Sequence, residues 1–437
     1  MSTAAPVWHN RDFVKFWSGE TVSLLGSQVT DLALPLVALL TLHATAFEVG
    51  LLNVARYLPF VLLALFAGVW FDRHRRRPTL IAANLGRALL IGLVPVAALT
   101  HVLSMPWLYL IAFGAGILTV LFDVGSLSYL PGLVERRHLG EANGKIATSY
   151  SIAGIGGPGL AGFLIGVLTA PVALAVDAVS YLVSAGALAS IRTREPEPRA
   201  PAEKTSVRAS IAEGLRAVFG NTVLRHLATQ SATFNLFENV VVTVLLVYAV
   251  RVLGIGPAAL GLVVSAGSVG ALLGALAANR VRAAIGIGPA LRWSTVLACL
   301  SPLFLLVPRG ADPVSLTVLA AALAVHGANL AVFNVNALTL RQSVTPDRLL
   351  GRMNASYRLI LFGTIPLGAF LGGSLAGLFG PRTALVAGVL GVASPVAWLL
   401  FSPVFRLTAI PESHDEETVL AGSSTAGSST EGSDTAC

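Results

Sequence analysis

Twelve long apolar segments constrain this chain more than any other feature of its sequence. A helix that crosses a bilayer needs about 20 predominantly apolar residues. Of the 437 residues, 55% are hydrophobic and only 12% are charged, more apolar surface than a soluble domain could bury. We therefore predict an all-α membrane protein with twelve transmembrane helices. The predicted spans are residues 17–41, 49–71, 79–100, 107–130, 144–168, 172–191, 225–250, 257–279, 289–308, 313–340, 353–378 and 383–403.

The second half of the sequence repeats the first. With an offset of 211 residues, segment 120–127 aligns with 331–338, and with an offset of 207 residues Asp31 aligns with Glu238. Every matched stretch lies in or beside a predicted span. Repeats that carry polar groups at related positions inside spans are typical of secondary transporters. The repeat therefore predicts two pseudo-symmetric six-helix bundles.

A charged, proline-rich segment at residues 192–208 separates the first six predicted spans from the last six. The residues that follow have the apolar periodicity of a short amphipathic helix at the membrane surface. The C-terminal residues are acidic and then rich in Ser, Thr and Gly, which predicts a disordered cytoplasmic tail. The expected divisions are an N-terminal bundle at 1–191, a cytoplasmic linker with this helix at 192–221, a C-terminal bundle at 222–405 and the tail at 406–437.

Basic residues predict the orientation of the chain. Of the 29 Lys and Arg residues, 23 lie in or beside one set of loops and termini, which should face the cytoplasm. We therefore expect a multi-pass protein of the inner (plasma) membrane with both termini in the cytoplasm. The net charge of +7 follows from this topology and does not indicate a nucleic-acid partner. Arg87 and Arg358 lie inside spans, but within reach of the cytoplasmic interface, to which they can snorkel. We therefore expect them to brace the gate rather than to contact substrate.

The loop after the second predicted span reads GVWFDRHRRRP. It resembles the G-x-x-x-D-R-x-x-R-R signature of the major facilitator superfamily, matched here by Gly68, Asp72, Arg73, Arg76 and Arg77. The resemblance implies the major facilitator fold. It also implies that these five residues form a conformational latch at the cytoplasmic face. The alternative is that the arginines only anchor the loop on that side of the membrane.

The fifth predicted span contains GPGLAG, which is similar to the G-P-x-x-G-G core of the superfamily's antiporter motif. Gly157, Pro158 and Gly162 match this core, and Ala161 replaces one glycine. Nearly the whole chain resembles the branch that contains macrolide-efflux proteins and enterobactin-type exporters. This resemblance implies a drug:proton antiporter, and the expected direction of transport, out of the cell, rests on it.

Four ionisable side chains lie deep inside predicted spans. A carboxylate at mid-bilayer costs about 2.5–3.5 kcal/mol on insertion scales, so it normally faces a cavity or a partner. Spans 1, 4, 7 and 10 line the central cavity in the resembled family, and here they carry Asp31, Asp123, Glu238 and His326. We predict that Asp31, Glu238 and Asp123 exchange protons during transport. Arg56 lies near the depth of Asp31 and is its predicted charge partner, so a purely structural ion pair is the alternative.

Polar and aromatic side chains near these charges could contact a ligand. An apolar, aromatic cavity with acidic groups would suit an amphipathic organic cation or a large amphipathic natural product. Ordinary helix packing is the alternative role for each aromatic side chain. The predicted cavity residues are Gln28, Tyr57, Phe234, Asn235, His326 and Asn334.

The sequence contains no G-x-x-x-x-G-K-[ST] nucleotide-binding loop and no H-E-x-x-H or G-x-S-x-G motif. We therefore expect a transporter rather than an enzyme, with no cofactor and no metal site. The leading hypothesis is a monomeric, proton-coupled exporter of amphipathic drugs or natural products that works by alternating access. Its partners would be a small-molecule substrate, protons and the lipid bilayer. Two alternatives stay open: export of a siderophore or other endogenous metabolite, and a non-transporting membrane sensor or scaffold.

Overall fold

The computed structural model describes residues 7–193, 195 and 207–397, without the side chains of residues 65, 68, 69, 72, 73, 207–211, 347 and 348. All regular structure in these ranges is helical. The predicted tail and most of the charged linker segment lie outside them. The α-helices are α1 Arg11–Leu36, α2 Ala46–Arg73, α3 Arg76–Leu99, α4 Met105–Leu133, α5 Leu139–Leu168, α6 Ala170–Ala189, α7 Val207–Gly220, α8 Thr222–Arg251, α9 Pro257–Ile285, α10 Ile287–Leu300, α11 Pro313–Ser343, α12 Asp347–Phe379 and α13 Pro381–Ala393.

Eleven helical stretches of the described residues are long and apolar enough to cross a membrane, and a further one, Pro381–Ala397, is apolar but shorter. The predicted all-α membrane fold is therefore confirmed. Several of the spans are not plain α-helices, and two of the departures matter here. α1 ends in a π-helical turn at Val37–Thr41, and α10 passes into a 3-10 helix at Ser301–Leu306. Pro302 accounts for the second break, because proline has no N–H with which to continue the helix.

Helices of the first half and of the second half pack in the same pattern. α1 packs on α5 and α6, and α8 packs correspondingly on α12 and α13. α2 packs on α4 as α9 packs on α11, and α3 packs on α4 as α10 packs on α11. The repeat in the sequence therefore corresponds to a repeat in three dimensions.

The two halves approach each other closely near one end of the bundle. We call this end, which carries the α1–α2, α3–α4 and α8–α9 connections, the outer side, and we call the opposite end the arginine-rich side. Gly50 of α2 lies against Gly373 of α12, where an added Cβ would come within 2.7 Å of the Cα atom. Gly162 of α5 and Gly261 of α9 face each other, and a Cβ on either would lie 3.0 Å from the other's Cα atom. Side chains larger than hydrogen would force these helices apart.

The short helix α7 covers most of the surface helix predicted at 209–221, and it packs against α12. Glu213 forms an ion pair with Arg352 near the start of α12. Gly214 lies against the backbone of Arg352, and Val218 is fully buried. One face of this helix is therefore bound to the second half of the protein.

Candidate functional site

A cavity of about 250 Å³ lies among the helices of the first half. It brings together five of the predicted site residues, namely Gln28 and Asp31 on α1, Arg56 and Tyr57 on α2, and Asp123 on α4. Polar side chains on membrane-spanning helices turn towards the bundle interior because lipid cannot solvate them. The cavity therefore concentrates polar groups that the first half carries within the membrane.

Asp31 and Arg56 form an ion pair in this cavity. The guanidinium of Arg56 also lies 5.3 Å from the centre of the Tyr57 ring, within cation–π distance. The side chains remain partly accessible, 42% for Asp31 and 21% for Arg56. A proton that enters the cavity can therefore reach the carboxylate.

Arg87 is buried in the same half, with only 3% of its surface exposed. Its guanidinium lies 4.3 Å from the ring centres of both Phe122 and Tyr181, and it donates a hydrogen bond to the side-chain oxygen of Asn84. The prediction that Arg87 snorkels to the interface is wrong, because two aromatic faces and an amide oxygen hold its charge in the interior. Arg87 places a positive charge in the lining of the cavity.

A second cavity, of about 300 Å³, lies in the second half. Four predicted site residues line it: Phe234, Asn235 and Glu238 on α8, and Asn334 on α11. The amide of Asn235 donates to the carbonyl oxygen of Leu361 at 2.6 Å, so this residue also ties α8 to α12.

His326 contacts Glu238 beside the second cavity. Its Nε2 is 3.1 Å from Oε1 of Glu238, and the Phe234 ring stacks on the imidazole with 5.9 Å between centres. The other ring nitrogen, Nδ1, is 2.9 Å from the carbonyl oxygen of Ala298. A carbonyl oxygen only accepts, so Nδ1 carries a proton and donates it. The hydrogen bond between Nε2 and Oε1 then requires one proton, held by the imidazole or by the carboxyl, and the pair is neutral in both arrangements.

Pro302 explains why the carbonyl oxygen of Ala298 is available to His326. In a continuing α-helix this oxygen would accept from the N–H four residues later, and Pro302 has no N–H at that position. α10 ends at Leu300, and the hydroxyl of Ser301 lies 3.5 Å from the same oxygen. The break in the helix therefore sets the orientation and the tautomer of the imidazole.

The predicted latch lies partly outside the described structure, which omits the surroundings of Gly68 and the side chains of Asp72 and Arg73. Arg76 and Arg77 begin α3, and their backbone N–H groups donate to the carboxylate of Glu195 at 2.8 and 3.0 Å. The side chain of Arg77 donates to the carbonyl oxygens of Leu188 and Ala189, at 3.0 and 2.8 Å, where α6 ends. These hydrogen bonds join elements of the first half to one another.

The antiporter-type motif lies where α5 meets other helices. Gly157 packs against the side chain of Gln28 on α1. The carbonyl oxygen of Pro158 and the Cα atom of Gly162 lie against Gly261 of α9. Small residues at such positions let helix backbones approach closely. The motif residues thus form part of the contact between the two halves.

Our sequence prediction omitted Glu20, which also lines the first cavity. It is 6% exposed, and among the described residues its buried Oε2 has no hydrogen-bond partner. A signal was present in the sequence: Glu20 and Asp31 are 11 residues apart, about three helical turns, so they share one face of α1. The contact between Glu238 and His326 was also missed, because it depends on how α8 packs beside α11.

Two repeated helical bundles, each with charged groups in an internal cavity, define a transporter of the major facilitator superfamily. Solved structures of the same fold include the nucleoside transporter NupG, with a TM-score of 0.72 at 12% identity, covering 91% of this chain and 99% of that chain. A bacterial homologue of the iron transporter ferroportin in an inward-facing state has a TM-score of 0.68 at 16% identity, covering 90% and 98%. The fold is that of transporters and not of enzymes.

The chain belongs to the family described as "Transmembrane secretion effector", whose profile matches residues 1–422. It is similar to the multidrug efflux pump Tap of Mycolicibacterium fortuitum, with 28% identity over 384 residues, which are 83% of this chain and 88% of that protein. It is also similar to macrolide efflux protein A of Streptococcus pyogenes, with 24% identity over 180 residues, which are 41% of this chain and 44% of that protein.

Proposed function

We propose that this transporter exports amphipathic drugs or natural products in exchange for protons, by alternating access. The observation that carries the proposal is the placement of Asp31 and Glu238. Each lies on the first membrane-spanning helix of its half, well inside the membrane, and each contacts a basic side chain. At 1.5 Å per residue, Asp31 lies about 30 Å from the start of α1, and Glu238 about 24 Å from the start of α8.

Protonation would switch each of these pairs. A proton on Asp31 removes the charge that holds Arg56, so the guanidinium can turn to another partner. A neutral carboxyl also lowers the free energy of enclosing the cavity when the halves close around it. In the second half, Glu238 and His326 share a proton that the pair can take up from the cavity or release into it. Coupling follows if the two access states differ in their affinity for these protons.

The orientation that fits this function has the arginine-rich side and both termini in the cytoplasm, in the inner (plasma) membrane. The glycine contacts between the halves lie near the outer side, which supports an inward-open state. Each cavity is formed within one chain, which supports a monomer. In the outward-open state the arginine-rich ends of the two halves would meet. The residues proposed to latch that state are Gly68, Asp72, Arg73, Arg76 and Arg77.

The proposed cargo follows from the chemistry of the cavities. Their walls are aromatic and apolar with a few acidic, amide and arginine groups, which suits amphipathic molecules. The names of the two efflux relatives support the export of such compounds. The residues proposed to contact cargo are Gln28, Tyr57, Phe234, Asn235 and Asn334, which line the cavities. His326 is proposed to act through Glu238, because both of its ring nitrogens already have partners. A siderophore or another anionic metabolite would instead require a cationic group in the cavity, for which Arg56 is available.

Proton movement in reconstituted vesicles tests the proposal. Purified protein would be placed in liposomes that contain a pH-sensitive dye, and cargo compounds found by resistance profiling would be added outside without an imposed gradient. Antiport predicts that entry of cargo makes the lumen more alkaline, because protons leave in exchange, and that an ionophore for protons speeds the entry. Cargo entry at full rate without any proton movement would overturn proton coupling.

A further inference from the structure

We infer that Glu20 and Asp123 form a binding site for the positively charged centre of the cargo, which is an amphipathic organic cation of the quaternary ammonium or phosphonium type. The inference rests on the proposed function, because it places the cargo of the proposed exporter. The site lies in the first cavity but nearer to the arginine-rich side than the pair of Asp31 and Arg56.

Glu20, Arg87 and Asp123 lie at one depth in the membrane. Glu20 is 9 residues from the start of α1, Arg87 is 11 residues from the start of α3, and Asp123 is 10 residues from the end of α4. All three helix ends are on the arginine-rich side, and a rise of 1.5 Å per residue gives depths of about 14, 17 and 15 Å. The three side chains line the same cavity. Two carboxylates on different helices thus face one space that a cytoplasmic molecule could enter.

Neither carboxylate has a partner among the described residues. Within the part of the chain that the structure describes, the side chains of Glu20 and Asp123 make no hydrogen bond and no salt bridge, whereas Asp31 and Glu238 each contact a basic group. Glu20 is more than nine-tenths buried, and its Oε2 atom is buried in the wall of the cavity without a partner. Burying an unpaired polar group is unfavourable, so a positive group beside these oxygens would be stabilised.

Arg87 faces the two carboxylates without pairing with either. Its guanidinium is held between the rings of Phe122 and Tyr181, and it donates to Asn84. The single positive charge of Arg87 can offset the negative charge of one of these two carboxylates but not of both. A cargo cation of one positive charge would balance the second.

Two further polar groups lie at a similar depth on other helices. Tyr150 of α5 lines the cavity, and Arg358 of α12 is exposed on the opposite half, 5.5 Å from the centre of the Phe362 ring. Arg358 lies 11 residues from the start of α12, about 17 Å at 1.5 Å per residue, which is close to the depth of Asp123. When the arginine-rich ends of the two halves meet, Arg358 would move closer to Asp123 and compete with the bound cation. Closure on that side would therefore favour release of the cargo to the outside.

The walls beside the carboxylates define the class of cation. Leu24, Phe60, Phe122 and Tyr150 line the same cavity and offer apolar and aromatic surface. Aromatic faces attract cations whose charge is shielded by carbon, such as quaternary ammonium groups. A small hydrated inorganic cation gains nothing from such walls. The site therefore fits a bulky organic cation.

Equilibrium binding to the purified full chain tests the site. The probe is tetraphenylphosphonium, and triphenylphosphine oxide is its uncharged counterpart. We expect Glu20→Gln and Asp123→Asn each to weaken phosphonium binding at least ten-fold, while affinity for the uncharged probe stays within two-fold. The matched control is Glu48→Gln, which removes a carboxylate from the capping box that begins α2 on the outer side and keeps the capping hydrogen bond. Unchanged phosphonium affinity in both cavity variants would overturn the inference.

A second measurement on the unmodified protein covers the case in which a variant does not fold. A hydrophobic carbodiimide reacts with buried carboxyl groups, and the modified residues are found by mass spectrometry. Saturating phosphonium should reduce modification of Glu20 and Asp123 at least three-fold, and the uncharged probe should not. Equal modification with and without phosphonium would contradict the site. Neither measurement uses a proton gradient, so the site can fail while proton coupling holds, and the reverse.

Discussion

Nε2 of His326 and Oε1 of Glu238 share a single hydrogen bond of 3.1 Å, and the one proton in it keeps this pair neutral. The equivalent carboxylate of the first half, Asp31, is paired instead with the guanidinium of Arg56. Ala115, 211 residues before His326, occupies the corresponding position in α4. The two halves thus share a scaffold but handle protons differently: one pair breaks when it is protonated, and the other stores a proton.

Restoring a backbone N–H at position 302 should disturb the hydrogen-bonded pair of His326 and Glu238. In Pro302→Ala the new N–H can donate to the carbonyl oxygen of Ala298 and compete with Nδ1 of His326. We expect proton-driven cargo flux in vesicles to fall several-fold, while equilibrium binding of the phosphonium probe is unchanged. Pro257→Ala is the matched control. Pro257 is the first residue of α9, where a backbone N–H has no acceptor within the helix, so restoring it should change nothing. Equal flux in both variants would show that the helix break does not position the imidazole.

Removing one member of the Asp31–Arg56 pair should be worse than removing both. Arg56→Gln leaves the carboxylate of Asp31 unpaired within the membrane, and an unsatisfied polar group costs about 1–3 kcal/mol. The partial exposure of the pair places the expected loss at the lower end of this range. The apparent melting temperature should therefore fall in Arg56→Gln and recover in the double variant with Asp31→Asn. Equal losses in the single and double variants would show that the two side chains act independently.

A methyl group at Gly162 should separate the two halves on the outer side. A Cβ there would collide with the carbonyl oxygen of Pro257 on α9, whereas a Cβ at Gly156 in the same helix would meet nothing within 4 Å. We expect Gly162→Ala to lower both thermal stability and transport, and Gly156→Ala to change neither. Differential scanning fluorimetry and cargo flux measure the two effects. If stability falls equally in both variants, the alanine would be acting on helix α5 itself and not on its contact with α9.

A cross-link on the outer side should trap the proposed inward-open state. Phe47 of α2 and Phe370 of α12 have ring centres 6.1 Å apart across the two halves. Phe47→Cys combined with Phe370→Cys should react rapidly with a short bifunctional reagent, and transport should stop. The single variants control for the loss of each ring. Rapid cross-linking that leaves transport intact would contradict alternating access through separation of α2 and α12.

The sequence was sufficient to predict the membrane fold, because apolar length and the internal repeat depend on local composition alone. It also predicted that Asp31 and Asp123 line a cavity, since charges inside a membrane avoid lipid. The expected single central cavity was different, because the structure places Glu238 at a second cavity in the other half. In both cases the physical rule concerns one helix at a time: how long its apolar stretch is, and which of its side chains must avoid lipid. Such features can be read without knowing how the helices pack.

The remaining features depend on packing between helices. Arg87 was expected at the interface because its distance from the helix end permits snorkelling, and only the placement of Phe122 and Tyr181 holds it inside. The tautomer of His326 depends on a carbonyl group of another helix, freed by a proline in that helix. Contacts of this kind join residues that are far apart in sequence, and no periodicity marks them.

Cargo accumulation in everted membrane vesicles tests proton coupling most directly. With an imposed proton gradient, acid inside, wild-type protein should concentrate cargo in the lumen, and Asp31→Asn and Glu238→Gln should each lose most of this accumulation. Glu48→Gln, which alters a carboxylate on the outer side, should retain it. Accumulation that is undiminished in both Asp31→Asn and Glu238→Gln would contradict the account.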